Sequence, residues 1–138
     1  MAVYDLIIIG AGPAGLSAAI YAARYKLNFL VIGELVGGLA TEAHKVSNYP
    51  GVKDVPGIEL MNLFRTQAEA LGVKIEENAV QKIEKKKEGF VVKTASASHE
   101  AKAIVLALGL QHRKLNIPGE EGFLGRGVSY CATCDGAF

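Results

Sequence analysis

Two unbroken apolar runs and two stretches of helical spacing lay out the plan of the chain. Tyr4-Asp-Leu-Ile-Ile-Ile9 is short, continuous and β-branched. A run of that kind, without alternating polar positions, is the pattern of a strand buried on both faces in a parallel sheet. From Pro13 the period changes. Leu16, Ala19, Ile20, Ala23 and Leu27 recur on one helical face, and proline suits the first turn of a helix. Asn28 to Ile32 reads as a second strand, completing a β-α-β unit that is right-handed by strong preference. A second helix is expected from about Pro56 to Leu71, with Leu60, Leu63, Phe64, Ala68 and Leu71 as its buried stripe and Gly72 as its stop. Val73 to Ile75 is a short strand. Ala79 to Lys85 and Gly89 to Thr94 read as the arms of a hairpin turning at Lys86 to Gly89, with His99 to Lys102 as a third arm. Ala103-Ile-Val-Leu-Ala-Leu108 is again continuously apolar and is expected to return to the buried parallel sheet, ended by Gly109. Between the second strand and second helix, Gly33 to Gly51 is a long irregular stretch, and long ordered loops in compact domains are often functional. Beyond Gln111 the chain is irregular and rich in glycine.

Glycines 10, 12 and 15 fall between the first strand and the first helix, spaced Gly-x-Gly-x-x-Gly. That context separates a dinucleotide-binding turn from a chance match. Gly10 permits the tight turn, Gly12 lets a pyrophosphate approach the backbone, and Gly15 lets helix and strand pack closely. The helix N-terminus offers free amides and the positive end of its dipole. An acidic residue about twenty positions further on is expected to bind a ribose hydroxyl. Gly33 occupies the usual place of that acid. Glu34, next to it, is either the ribose ligand or a solvated loop carboxylate. The turn does not choose between FAD and NAD, which present the same pyrophosphate and ribose. The fold class that follows is α/β: a Rossmann-like three-layer core, with an antiparallel β-meander inserted between the second helix and the strand at Ala103.

Composition narrows the partners. The 138 residues, half of them hydrophobic, suffice for one domain with a core. Fifteen basic and fourteen acidic residues leave a net charge of +1, which argues against a nucleic-acid binder. The run Lys85 to Lys87 reads as a solvated hairpin tip. Tyr4 to Ile9 lacks the basic flank and cleavage site of a secretory signal. No apolar run approaches the ~20 residues of a membrane span. A cytoplasmic location without membrane association is the expectation.

In that compartment two cysteines are not expected to serve as a structural staple. Cys131-Ala-Thr-Cys134-Asp135-Gly136 spaces them to close a small disulfide ring. Redox chemistry needs a thiolate, and Asp135 stands beside the pair as a group that handles protons. Zinc is the competing reading, but it wants four ligands, and His44, His99 and His112 have no paired spacing. Inert structural cysteines are the third. The histidines themselves read as surface residues.

Together these features resemble the low-molecular-weight thioredoxin reductase family. Gly10-Ala11-Gly12-Pro13-Ala14-Gly15 resembles its FAD pyrophosphate turn. Gly37-Gly38 and Asn48-Tyr49-Pro50-Gly51 resemble the loop along the flavin. Ile117-Pro118-Gly119-Glu120 resembles the crossing into the NADPH domain, and Gly127-Val-Ser-Tyr-Cys131-Ala-Thr-Cys134-Asp135-Gly136 resembles the family's redox signature in every residue. Leu39 stands where many members have glutamine, and Leu108 where they often have threonine. The resemblance implies FAD contacts from Gly10 to Gly15 and from Gly33, Glu34, Gly37, Gly38, Leu39, Asn48, Val80, Ala107 and Gly109. It implies an FAD-binding part over residues 1–115 and, over 116–138, the start of an NADPH domain that is cut short. It further implies a homo-oligomer and electron flow from NADPH through FAD to the Cys131–Cys134 disulfide and on to thioredoxin. Cys134 would face the flavin, Cys131 would attack the acceptor, and Asp135 would handle protons. The resemblance covers about the first half of a family member, so the NADPH turn is expected beyond residue 138 and the isolated chain is not expected to turn over NADPH. A related reductase serving another acceptor, or a non-catalytic FAD-binding fragment, remains open.

Overall fold

Ile7, Ile8 and Ile9 are inaccessible to solvent (0%, 0% and 2% exposed), as a strand buried on both faces requires. The computed structural model, which describes residues 3–132 and 136, places them at the end of β1 (Val3–Ile9). There follow α1 (Pro13–Arg24), β2 (Phe29–Ile32), a 3-10 helix (Gly38–Glu42), α2 (Gly57–Ala70), β3 (Ile75–Glu76), β4 (Val80–Lys85), β5 (Phe90–Thr94) and β6 (Ser98–Leu106). They form one six-stranded sheet in the order β3-β2-β1-β6-β5-β4. The first four strands run parallel, and β5 and β4 join antiparallel.

Successive residues of β1 serve opposite faces, as the period of a strand dictates. Ile8 packs with Val31, with Leu16, Ala19 and Ala22 of α1, and with Ala68 of α2. The alanines let the helices sit close to the sheet. Ile7 and Ile9 join Leu30 and Ile32 on the other face, where Val92 of β5 and Val80 of β4 meet them. The meander therefore folds over the face opposite the helices, and the three layers are helices, parallel strands and meander. Each fully buried isoleucine, leucine or valine here contributes about 1.5–3 kcal/mol of transfer free energy.

The structure departs from the sequence pattern at several places. The third meander arm and the returning strand are one strand: Glu100 and Ala101 of β6 pair with Val3 and Tyr4 on one side and with Val91 and Phe90 on the other. The change in hydrophobicity near residue 103 marks a change of neighbours, not a break in the chain. Leu27 is exposed because α1 ends at Arg24. In α2 the buried positions are Gly57, Leu60, Met61 and Ala68, while Leu63 and Leu71 face solvent. The stripe is turned because α2 packs on α1 and the 3-10 helix together, and Met61 fills the angle beside Gly37. His99 is not a surface residue. The sheet curls until Glu76, at the end of β3, meets the start of β6, so His99 Nε2 lies 2.9 Å from Glu76 Oε2 and its ring lies edge-on to Tyr4. Among the described residues no helix is long and apolar enough to cross a membrane. Past β6, Leu108, Leu110, Leu115 and Ile117 are exposed.

The meander carries one concentrated charge cluster. Glu84 on β4 accepts a hydrogen bond from Lys93 Nζ on β5 at 2.9 Å and lies 3.1 Å from Lys82 Nζ. The Lys93 bond first, and then Lys82, pull the Glu84 carboxyl from its ordinary 4.5 down to about 2. A depressed carboxylate stabilises the fold fully above its ordinary value and loses that contribution as pH falls towards the folded one. The urea midpoint of the wild type should therefore fall further than that of Glu84→Gln between about pH 5 and about pH 2.5. Parallel declines in the two proteins would rule this out.

Candidate functional site

At the carboxyl ends of β1, β2 and β6, backbone meets backbone. The Gly10 amide donates to the Ile32 carbonyl at 2.7 Å, and the Ala107 amide donates to the Ile9 carbonyl at 2.8 Å. Gly10 sits at φ +111, a region that side chains avoid. A Cβ there would overlap the Ala107 carbonyl, and a Cβ on Gly15 would overlap the Gly10 carbonyl. One on Gly33 would lie 2.5 Å from the Ala11 nitrogen. The loop after β2 closes against the same turn. The Gly37 amide donates to the Ala11 carbonyl at 2.8 Å, and Thr41 Oγ1 donates to the Gly38 carbonyl at 2.8 Å. A Cβ on Gly37 would come within 2.6 Å of Thr41 Cγ2 and 2.8 Å of Met61 Cβ.

Gly12 is different. Its backbone is extended (φ −78, ψ −172), a conformation open to any residue. A Cβ would meet nothing nearer than the Gly37 carbonyl oxygen and Gly38 Cα, both at 3.9 Å. Neither strain nor crowding within the chain calls for glycine, so bare backbone is presented outward between the turn and the Gly37–Gly38 loop. Gly12 caps α1 without a side chain, and Pro13 has no amide to offer, so the first-turn amides of Ala14 and Gly15 have no capping side chain. This helix end lies where the strand order reverses, with β2 on one side of β1 and β6 on the other. Open α/β sheets bind nucleotides at that crevice, and an uncapped helix N-terminus suits a phosphate.

The other expected cofactor residues are placed as follows. Glu34 is exposed just past β2, with no hydrogen bond or ion pair among the described residues. Leu39 is half-buried in the 3-10 helix, and Gly109 is exposed with open space around it. Asn48 is exposed on a loop closed by the Val46–Val55 bridge and the 3.2 Å Lys45–Asp54 ion pair. Next to it, Tyr49 packs edge-on against Phe64 of α2 at 5.5 Å. Val80 opens β4, and its side chain goes to the core beneath the meander. The structure thus gathers residues 10–15, 33, 37, 38 and 107 into one cradle.

The second candidate region surrounds Cys131, which is disulfide-bonded. Its amide donates to Ser129 Oγ at 3.0 Å. Cys134 and Asp135 lie outside the described residues. Among the described residues no group of three or more His, Cys, Asp or Glu side chains could hold a metal ion. Glu120, which the sequence marks only as the last residue of Ile117-Pro118-Gly119-Glu120, is 4% exposed. Its carboxylate accepts the amides of Leu115 at 2.8 Å and Asn116 at 2.6 Å, and the Tyr130 hydroxyl at 2.6 Å. The Tyr130 bond first, with the amides, holds the Glu120 carboxyl below its ordinary value, and the same bond raises the Tyr130 hydroxyl. The Tyr130 ring stacks on His112 at 4.9 Å and 14°. Nothing local signalled this. A glutamate beside Glu121 in a glycine-rich turn reads as solvated.

Comparison with known proteins shows the family of the chain. The family model of pyridine nucleotide-disulphide oxidoreductases matches residues 4–138. The chain is 47% identical over 137 residues to a thioredoxin reductase of Treponema pallidum, covering 98% of this chain and 45% of that protein. It is 42% identical to the thioredoxin reductase of Bacillus subtilis, covering 99% of this chain and 43% of the relative. The crystal structure of thioredoxin reductase from Streptococcus pyogenes superposes with a TM-score of 0.88 at 44% identity, over 99% of this chain and 45% of that one. The chain spans a little under half the length of these relatives.

The glycines of the turn should separate by substitution. Gly10→Ala combines a strained φ with backbone overlap and should cost on the order of 3 kcal/mol or more. Gly12→Ala should stay within about 1 kcal/mol of wild type, because its Cβ finds room. Urea denaturation of both variants checks this, and equal losses would show that Gly12 is also held by packing.

Proposed function

Because the chain belongs to the pyridine nucleotide-disulphide oxidoreductase family, we propose that it carries the FAD site and the exchanging cysteine pair of a thioredoxin-disulfide reductase. The observation that supports this most directly is the bare backbone at Gly12 in front of an uncapped helix. That is a cradle for the pyrophosphate of a dinucleotide. The amides of Ala14 and Gly15 would donate to the phosphates, Glu34 would accept from the ribose, and the Gly37–Gly38 loop with Leu39, Asn48, Val80, Ala107 and Gly109 would border the rest of FAD. When bound, FAD supplies two-electron chemistry between a reduced nicotinamide, NADPH, and a disulfide. Residues 1–115 would form the FAD-binding part, and 116–138 would lead towards a nicotinamide-binding part. The working protein would be a cytoplasmic homo-oligomer.

The chain's own residues perform the exchange. The Cys131 thiolate attacks one sulfur of the thioredoxin disulfide, forming a mixed disulfide and releasing a thioredoxin thiolate. The Cys134 thiolate then attacks the Cys131 sulfur, closing the Cys131–Cys134 disulfide and releasing the second thioredoxin thiolate. Two electrons pass to thioredoxin, whose thiolates take up two protons, with Asp135, next to Cys134 in the sequence, as the proton carrier.

Two measurements test this. After incubation with FAD and desalting, the chain should keep a visible flavin band, and Gly12→Val should lose it while staying folded. The pre-reduced chain should raise free thiols on oxidised thioredoxin, and Cys131→Ser should not complete the exchange. An unretained flavin counts against the cradle. Transfer to glutathione or another acceptor, but not to thioredoxin, would reassign the partner.

A further inference from the structure

Glu120 is the one carboxylate in the described chain that is both buried and fully engaged, and none of its partners belongs to the dinucleotide cradle. A carboxylate withdrawn from water is costly unless its oxygens are bonded. Here each oxygen is used. Oε1 takes the Leu115 amide and the Tyr130 hydroxyl, and Oε2 takes the Asn116 amide. Bonds to an ionised acceptor are short and strong, as the 2.6 Å spacings to Asn116 and Tyr130 are.

Tyr130 is therefore fixed from two sides: its hydroxyl by Glu120, and its ring by His112. His112, Leu115 and Asn116 lie on one stretch of chain leaving β6. That stretch and the residue next to Cys131 are tied together through a single side chain. The amide of Cys131 is turned back onto Ser129 Oγ, so the chain on either side of Tyr130 is also restrained.

We propose that Glu120 is a positioning residue for the Cys131 disulfide: its buried carboxylate binds the backbone at Leu115 and Asn116 to the hydroxyl of Tyr130 and so holds the residue beside the sulfur in place. This rests on the reading of Cys131 as half of an exchanging pair. A thiol pair recloses according to the effective concentration of one sulfur at the other, which falls as the segment loosens. The clamp thus favours the closed disulfide and restricts attack on it.

The test is equilibration of the full 138-residue chain with dithiothreitol redox buffers, read by alkylation and mass. One thiolate of dithiothreitol attacks a sulfur of the protein disulfide, giving a mixed disulfide and a protein thiolate. Its second thiolate closes the dithiothreitol ring and releases the other protein thiolate. Two electrons enter the protein disulfide, and the two thiolates are protonated from solvent. Tyr130→Phe keeps the ring that stacks on His112 and removes only the hydroxyl. Glu120→Gln keeps the size and removes the charge and one acceptor. Both should shift the equilibrium towards the dithiol, and speed reduction, by roughly three- to tenfold, with the urea midpoint of the sheet unchanged. Equilibria within a factor of about two of wild type in both variants would overturn the inference and leave the proposed function standing. A shift matched by an equal fall in the urea midpoint would overturn it too, since it would report general loosening. A wild-type chain that is not reversibly reduced at all would overturn the proposed function, and this inference with it.

Discussion

The close approach of three backbone segments at Gly10 governs the rest of the molecule. The carbonyl of Ala107 occupies the space where a Gly10 side chain would begin, and the carbonyl of Gly10 does the same to Gly15. These contacts leave no slack between the end of β1, the end of β6 and the start of α1. The direction of α1 is set there, and with it the direction of its free amides. Gly12 is then left as the one glycine of the turn that faces away from the protein.

This geometry needs the whole sheet. Ala107 reaches Gly10 only because β6 pairs with β1 along almost its full length, and β6 is in turn held by β5 on its other side. The meander has a structural task beyond decorating the core. It covers Ile7, Ile9, Leu30 and Ile32, which would otherwise form an open apolar face. The contact of His99 with Glu76 shows how far the sheet curls to achieve that cover.

Beyond β6 the apolar core no longer organises the chain. Leu108, Leu110, Leu115 and Ile117 point outward, and order comes from polar groups. Glu120 does for this stretch what Ile8 does for the sheet, with hydrogen bonds in place of hydrophobic contact. Such a centre is specific, because each bond requires a particular donor, and it is sensitive, because a lost partner leaves a buried charge unpaired.

Strand runs, helical spacing and the Gly-x-Gly-x-x-Gly turn are legible in the sequence because each is a local property. Period two or 3.6 and the room for a missing Cβ are written within a few residues, so pattern alone locates β1, α1, the hairpin and the cradle glycines. The cysteine spacing is equally plain, although Cys134 and Asp135 lie outside the residues described. What the tertiary structure alone decided is burial by distant partners. Met61 takes the place of Leu63 in the core because α2 packs against two elements at once, His99 is covered because the sheet curls, and β6 is continuous because it has a neighbour on each edge. Glu120 becomes the hub of the tail only where Leu115, Asn116 and Tyr130 converge on it. A glutamate in a turn has the same sequence whether it meets water or three donors. Its environment is a matter of which segments meet, and local pattern carries no record of that.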